Sequence, residues 1–263
     1  MKRMFTVALV VMMAVPVAEG AAKKRRKRKS SAKATEPAKI FEQVDEAARA
    51  VKAVSYDLEF DVKEGGNPGT LRHMEGKMWL VAGPDKKLAS FRADLKYTGD
   101  HLARPRDFTA IYDGKNYFRA DHHRKTARKG DNGGKILQEY GQPIALATMH
   151  EFVHPTPFSD EVNAPTVELL GSEEVGGVDC HKLHVHYARE QYQAIWFIGK
   201  EDYLPRGVIR INKGDQARKA SRMQLILSGL QVDPEIPDDA FDTSLPEGYT
   251  EKSGKRSGSS AME

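Results

Sequence analysis

Nine histidines and a single cysteine are the residues of this 263-residue chain best equipped for chemistry, and their spacing decides what they can do. His181, His184 and His186 lie close together, and on a strand His184 and His186 share one face while His181 points to the other. Cys180 lies on the His184 face, so a Cys/His pair is conceivable, but zinc wants three or four ligands, usually with carboxylate or thiolate company. The simpler expectation is a surface strand that carries histidines. His122-His123, followed by Arg124-Lys125 and preceded by Asp121, reads as a solvated turn. His150 and His154 stand at i, i+4, but the H-E-x-x-H order is missing and Pro155 follows directly, which excludes a zincin helix. One cysteine allows no intramolecular disulfide, and Cys180 is expected to pack in a core. Nucleophile elbow, P-loop and dinucleotide fingerprint are all absent. The expectation is a chain with no catalytic residues, no metal and no cofactor.

The elements that would carry these side chains are mostly strands. Glu168 to Val175 and Val178 to Tyr187 flank Gly176-Gly177, the positive-φ pair that a tight hairpin wants. Gln193 to Ile198 is apolar on both faces, as a strand covered on both sides would be, and a polar turn ending in Pro205 leads to Gly207 to Ile211. Upstream, Val54, Tyr56, Leu58, Phe60 and Val62 alternate with polar residues until the turn at residues 65–69. Thr70 to Ala82 and Leu88 to Tyr97 continue the meander, and Phe108 to Tyr112 and Asn116 to Ala120 form a hairpin about Asp113-Gly114. Met223 to Val232 is the last strand; Pro234 to Phe241 is a short turn or helical segment in which Phe241 plugs the end of the core.

Two stretches read as helical. Ile40, Val44, Ala47, Val51 and Val54 make the apolar stripe of a helix over 40–54 that should lie against the sheet. Lys135 to Phe152 has helical spacing broken by Gly141 and Pro143, which predicts short pieces.

The order Gly177, Val178, Cys180, Leu183, then Ile195-Trp196, then Leu204-Pro205-Arg206 and Ile209, with Pro237-Asp238-Asp239-Ala240-Phe241 behind them, resembles an uncharacterised family of predicted periplasmic proteins. That family belongs with the outer-membrane lipoprotein-carrier (LolA/LolB-like) superfamily, and Tyr112-Asp113-Gly114-Lys115 matches a further element of its pattern. The resemblance runs from about residue 40 to 249. It implies an α+β fold, a strongly curved antiparallel β-sheet (open half-barrel) covered by an N-terminal helix and short lid helices, the lid being the 135–152 region.

The N-terminus adds location. Met1-Lys2-Arg3, an apolar run from Phe5 to Val17 and small residues at Ala18, Gly20, Ala21 and Ala22 read as a signal peptide over 1–22. That run is too short to span a bilayer, which takes ~20 helical residues. Lys23 to Lys29 is entirely basic, a run that resists translocation and elsewhere marks nuclear targeting or nucleic-acid contact. Residues 1–38 hold ten basic and two acidic residues, so the remainder carries 31 basic against 35 acidic, a net −4. A nucleic-acid-binding fold would keep its basic stripe on the domain, so no nucleic-acid partner is expected. The division is therefore a signal peptide at 1–22, a basic disordered linker at 23–38, one domain at 39–249 and a disordered tail at 250–263.

The remaining positive feature is apolar residues on alternating strand faces. Met78, Leu80, Phe91, Leu95, Ile195, Phe197, Ile209 and Ile211 are expected to line one concave face, either as solid core or as a cavity for acyl chains. The function this implies is a monomeric, non-catalytic periplasmic protein, at most peripheral to the membrane, that binds a lipid, lipopeptide or acylated protein. The alternatives are a sensor acting through an envelope protein partner and, further off, a metal-dependent enzyme using His184, His186 and Cys180.

Overall fold

The computed structural model describes residues 36–65, 71–131, 141–215 and 219–252. The signal peptide, the basic run, most of the 65–69 turn, residues 135–140 of the helical stretch and the tail beyond 252 lie outside the described residues. Helix α1 (Glu36–Ala50) precedes strands β1 (Ala53–Gly65), β2 (Leu71–Ala82), β3 (Leu88–Gly99), β4 (Arg106–Tyr112), β5 (Tyr117–Asp121) and β6 (Thr126–Gly130). Next come α2 (Gly141–Ala147), a 3-10 turn (His150–Val153) and α3 (Ser159–Val162). Strands β7 (Thr166–Val175), β8 (Val178–His186), β9 (Tyr192–Gly199), β10 (Pro205–Asn212), β11 (Ser221–Val232) and β12 (Thr250–Glu251) complete the chain.

All twelve strands join one open sheet in the order β12-β6-β5-β4-β3-β2-β1-β11-β10-β9-β8-β7. Two antiparallel meanders, β1 to β6 and β7 to β11, are zipped together where β11 pairs with β1. This topology dictates what covers the sheet. A chain that finishes β6 near one edge and begins β7 at the other must cross a face, and α2, the 3-10 turn and α3 are that crossing. After β11 the chain crosses again, on the opposite face, until Thr250 pairs in parallel with Thr126 of β6. Residue 250 thus begins a strand where a tail was expected.

Inside the curve, alternation buries Val54, Tyr56, Leu58 and Phe60 of β1 against Phe41, Val44 and Ala48 of α1. Helix α1 ends at Ala50, short of the expected Val54, because Val54 is taken by the sheet between Leu80 and Val232. Lys86 then caps it, its amine donating to the Ala48 carbonyl at 3.4 Å and to the Val51 carbonyl. At the β7–β8 turn Gly176 and Gly177 have φ of 59° and 80°, as the hairpin signal required. A Cβ on Gly176 would stand 2.4 Å from the Leu227 carbonyl oxygen, so this tip folds closely onto β11 and only glycine fits.

That tip gives the sheet a second buried surface. Val175, Cys180, Ile195, Phe197 and Ile209 form a cluster of their own on the outer face, with Val178, Ile211 and Ile226 packed against it. A third cluster, Ile111, Phe118, Ala120 and Ala127, lies on the outer face of β4 to β6 beneath Phe241 and Tyr249. Phe241 therefore covers the back of the sheet and does not plug the end of the main core. Among the described residues no helix is long and apolar enough to cross a membrane.

Candidate functional site: the concave interior and its lid

The crossing segment closes the concave face with aromatic rings. Phe158, just before α3, stacks on Phe41 of α1 at a centroid distance of 5.9 Å and meets the Trp196 ring edge-on at 5.1 Å. Phe152, in the 3-10 turn, sits 6.5 Å from the Tyr56 ring. Both phenylalanines are essentially inaccessible to water. Polar anchors hold the segment in place. The Tyr56 hydroxyl donates to the Ala147 carbonyl at 3.1 Å and accepts the Met149 N–H at 3.0 Å; burial pushes its phenol well above the usual tyrosine range. The Asp45 carboxylate, paired with Arg49 at 2.5 Å, accepts the Phe158 N–H at 3.1 Å.

Where α3 meets β8 and β9 the anchor is an acid. Glu161 is 6% exposed and accepts the Tyr187 hydroxyl at 2.5 Å, and the Trp196 indole N–H donates onward to Tyr187 at 3.4 Å. Burial pushes the Glu161 carboxyl up to about 7, the Tyr187 hydrogen bond opposing and the Glu151 charge reinforcing the shift. Glu151 lies 3.9 Å from Arg210, with its Oε2 buried and unpartnered among the described residues.

Of the eight expected lining residues, Met78, Leu80, Phe91 and Leu95 do face this interior, all four within the main core. Ile195, Phe197 and Ile209 belong to the outer cluster, with Ile211 packed against it, so the single shared face is corrected to two. The reason is alternation: Ala194, Trp196 and Ile198 took the inner positions of β9, and the apolar outer residues are covered by the β7–β8 tip. On β9 and β10 the inner residues that sequence reasoning left out are Ala194, Trp196, Ile198 and Val208, and a strand apolar on both faces gives no signal of which side is which.

Cys180 is fully buried, with burial raising its thiol pKa and its Sγ 3.3 Å from the Val178 carbonyl, in keeping with a packing role. His184 and His186 do share a face, their ring centroids 4.2 Å apart. His122 is no solvated bystander. Its ring lies 2.9 Å from Thr109 Oγ1 and 2.7 Å from the Tyr249 hydroxyl, while Thr109 donates to Asp94 at 2.6 Å and Arg92 to Asp94 at 2.7 Å. This chain of hydrogen bonds ties the C-terminal crossing to the back of the sheet and borders a cleft of about 300 Å³ of mixed lining, with Arg92, Thr109, His122 and Asp242 beside Ile111, Phe118 and Pro246. None of the eight expected residues lines that cleft.

An open antiparallel sheet folded round an apolar interior, with an N-terminal helix and a jointed lid across its mouth, defines the class of protein to which this chain belongs. Its family is narrower: residues 38–251 match the model of the family described as "Predicted periplasmic protein (DUF2092)", and the chain belongs to that family. It is a periplasmic protein, as the strand-and-turn pattern implied. Among solved structures the chain is similar to MucB, with 13% identity and a TM-score of 0.48 over 81% of this chain and 64% of MucB. The chain thus spans just under two thirds of MucB's length; MucB has also been solved in a Pseudomonas aeruginosa MucA/MucB complex. It is likewise similar to LprF from Mycobacterium bovis, with 9% identity and a TM-score of 0.48 over 77% of this chain and 96% of LprF. For the Mycobacterium tuberculosis lipoprotein LppX the identity is 11% and the TM-score 0.44, over 76% and 98% of the two chains. No curated protein matches the chain.

Proposed function

We propose that this periplasmic protein binds, without catalysis, the acyl chain of a lipid or acylated protein in the space now filled by the lid's phenylalanines. The observation that carries the reading is the lid itself. Phe152 and Phe158 plug an apolar concave face from short helical pieces held by separate hydrogen bonds, those of Tyr56, Asp45 and Glu161. Such a plug is exchangeable on energetic grounds. Exposing the two rings would cost roughly 3–6 kcal/mol, whereas a dozen buried methylenes would contribute roughly 10 kcal/mol. Specific polar contacts are unnecessary.

A fluorescent fatty-acyl probe tests this. Leu95→Trp fills the inner face and should abolish uptake, whereas Ile209→Trp, on the outer cluster, should leave it intact, both variants being checked for cooperative melting. Equal loss in both, or none in either, would remove the inner face as the site.

A second reading, a sensor reporting to an envelope protein, is favoured by β7. This edge strand is largely exposed, with Leu169 at 49% and Leu170 at 48% exposure beside Glu173 and Glu174. Such an edge suits an added strand with basic side chains. An envelope protein retained by the wild type but released by Leu170→Lys, with probe uptake unchanged, would favour this reading over carriage.

A further inference from the structure

We propose that Glu168, His184 and His186, on the outer face near the β7 edge, form a binding site for a borderline divalent metal ion such as zinc. Strand geometry assembles the group from two directions. His184 and His186 project from one side of β8, and the register places Glu168 of β7 directly opposite His184, with Oε2 3.8 Å from Nδ1. One ligand atom from each of the three lies within 4.8 Å of the others. Small side-chain rotations close that to the ~3.4 Å ligand spacing of a tetrahedral zinc with bonds of ~2.0–2.1 Å. Two imidazoles and a carboxylate are a zinc-type donor set that leaves one position for water or a partner's donor.

A second observation points to a missing ligand. His186 Nε2 is buried and has no hydrogen-bond partner among the described residues. The Gln193 side chain of β9 engages the far edges of both rings, 3.3 Å from His184 Nε2 and 3.0 Å from His186 Nδ1. His184 Nε2–H donating to Gln193 Oε1 leaves His184 Nδ1 for the ion and supplies the outer contact that orients a metal-binding histidine, whereas at His186 the Gln193 N–H donates to Nδ1, so binding through Nε2 takes a change of tautomer and release of that contact. A second group among the described residues, Glu59, Asp61 and His73, has two carboxylates and one histidine and differs in that Asp61 already accepts from Lys63 at 2.7 Å and lies 3.0 Å from His73 Nδ1. It serves as an internal control. Cys180, for which the spacing made a Cys/His pair conceivable, packs in the outer cluster, and the carboxylate comes from the neighbouring strand.

The test is calorimetric titration of the EDTA-stripped full chain with zinc chloride at pH 7.5, with melting curves taken with and without zinc. The expected result is one zinc per chain with a raised melting temperature. Binding should be abolished by His184→Ala/His186→Ala, weakened roughly 10–100-fold by Gln193→Ala and unchanged by His73→Ala. Glu168→Gln, an isosteric change at an exposed position, removes a ligand without threatening the fold and should also weaken zinc. No stoichiometric binding, binding that survives the double histidine variant, or loss in His73→Ala instead would overturn the site.

Discussion

Ionising Glu161 beneath the closed lid has a cost, because the carboxylate exchanges water for an apolar surround in which Tyr187 is its hydrogen-bond partner and Glu151 and Asp160 are repulsive charges. With a pKa raised from 4.5 to about 7, the folded protein keeps a proton that the unfolded chain has lost between those values. Stability from this group is therefore fully present below about pH 4.5 and declines as pH rises through 7, by on the order of 3 kcal/mol in total. The Glu161→Gln variant isolates the acid: in urea denaturation it should gain on the wild type progressively from pH 5 to pH 8. Parallel curves would show that Glu161 does not titrate in the fold. Tyr56→Phe leaves the Ala147 carbonyl and Met149 N–H without their partner, and should cost about 1–3 kcal/mol and make 141–149 more susceptible to protease.

Elements show where the sequence was readable. Tyr56, Leu58 and Phe60 alternate with polar neighbours, and Gly176-Gly177 punctuates a hairpin, so strands β1 to β5 and β7 to β11 were legible from period and turn chemistry. Strand β6, Thr-Ala-Arg-Lys-Gly, has one buried apolar residue, Ala127, and was invisible to the same logic. The face assignment on β9 and β10 failed for a tertiary reason, the folding of the β7–β8 tip over Ile195, Phe197 and Ile209. Glu168 joined the histidines through a register that no local spacing encodes. The tip can be tested directly. Gly176→Val forces a branched side chain into φ 59° and against the Leu227 carbonyl, and should lower stability by roughly 2–4 kcal/mol in chemical denaturation while exposing the outer cluster to a hydrophobic dye.

At the scale of the molecule, two crossings cover two faces: an inner one plugged by Phe152 and Phe158, and an outer one tied down through Tyr249, His122 and Thr109. The inner crossing is jointed, in pieces of seven, four and four residues, and hangs from a titratable anchor. The outer one ends in the sheet itself. An inner crossing in separate pieces, set against an outer one fixed in the sheet, is the physical basis of the acyl-chain binding proposed above. The measurement that bears most directly on this is native mass spectrometry of the protein recovered from the periplasm without detergent, before and after organic extraction. Adducts of lipid mass that vanish on extraction and are missing from Leu95→Trp are the expected result. A bare mass that persists after incubation with envelope lipids at pH 8, where Glu161 is ionised and the lid is least secure, would contradict the account.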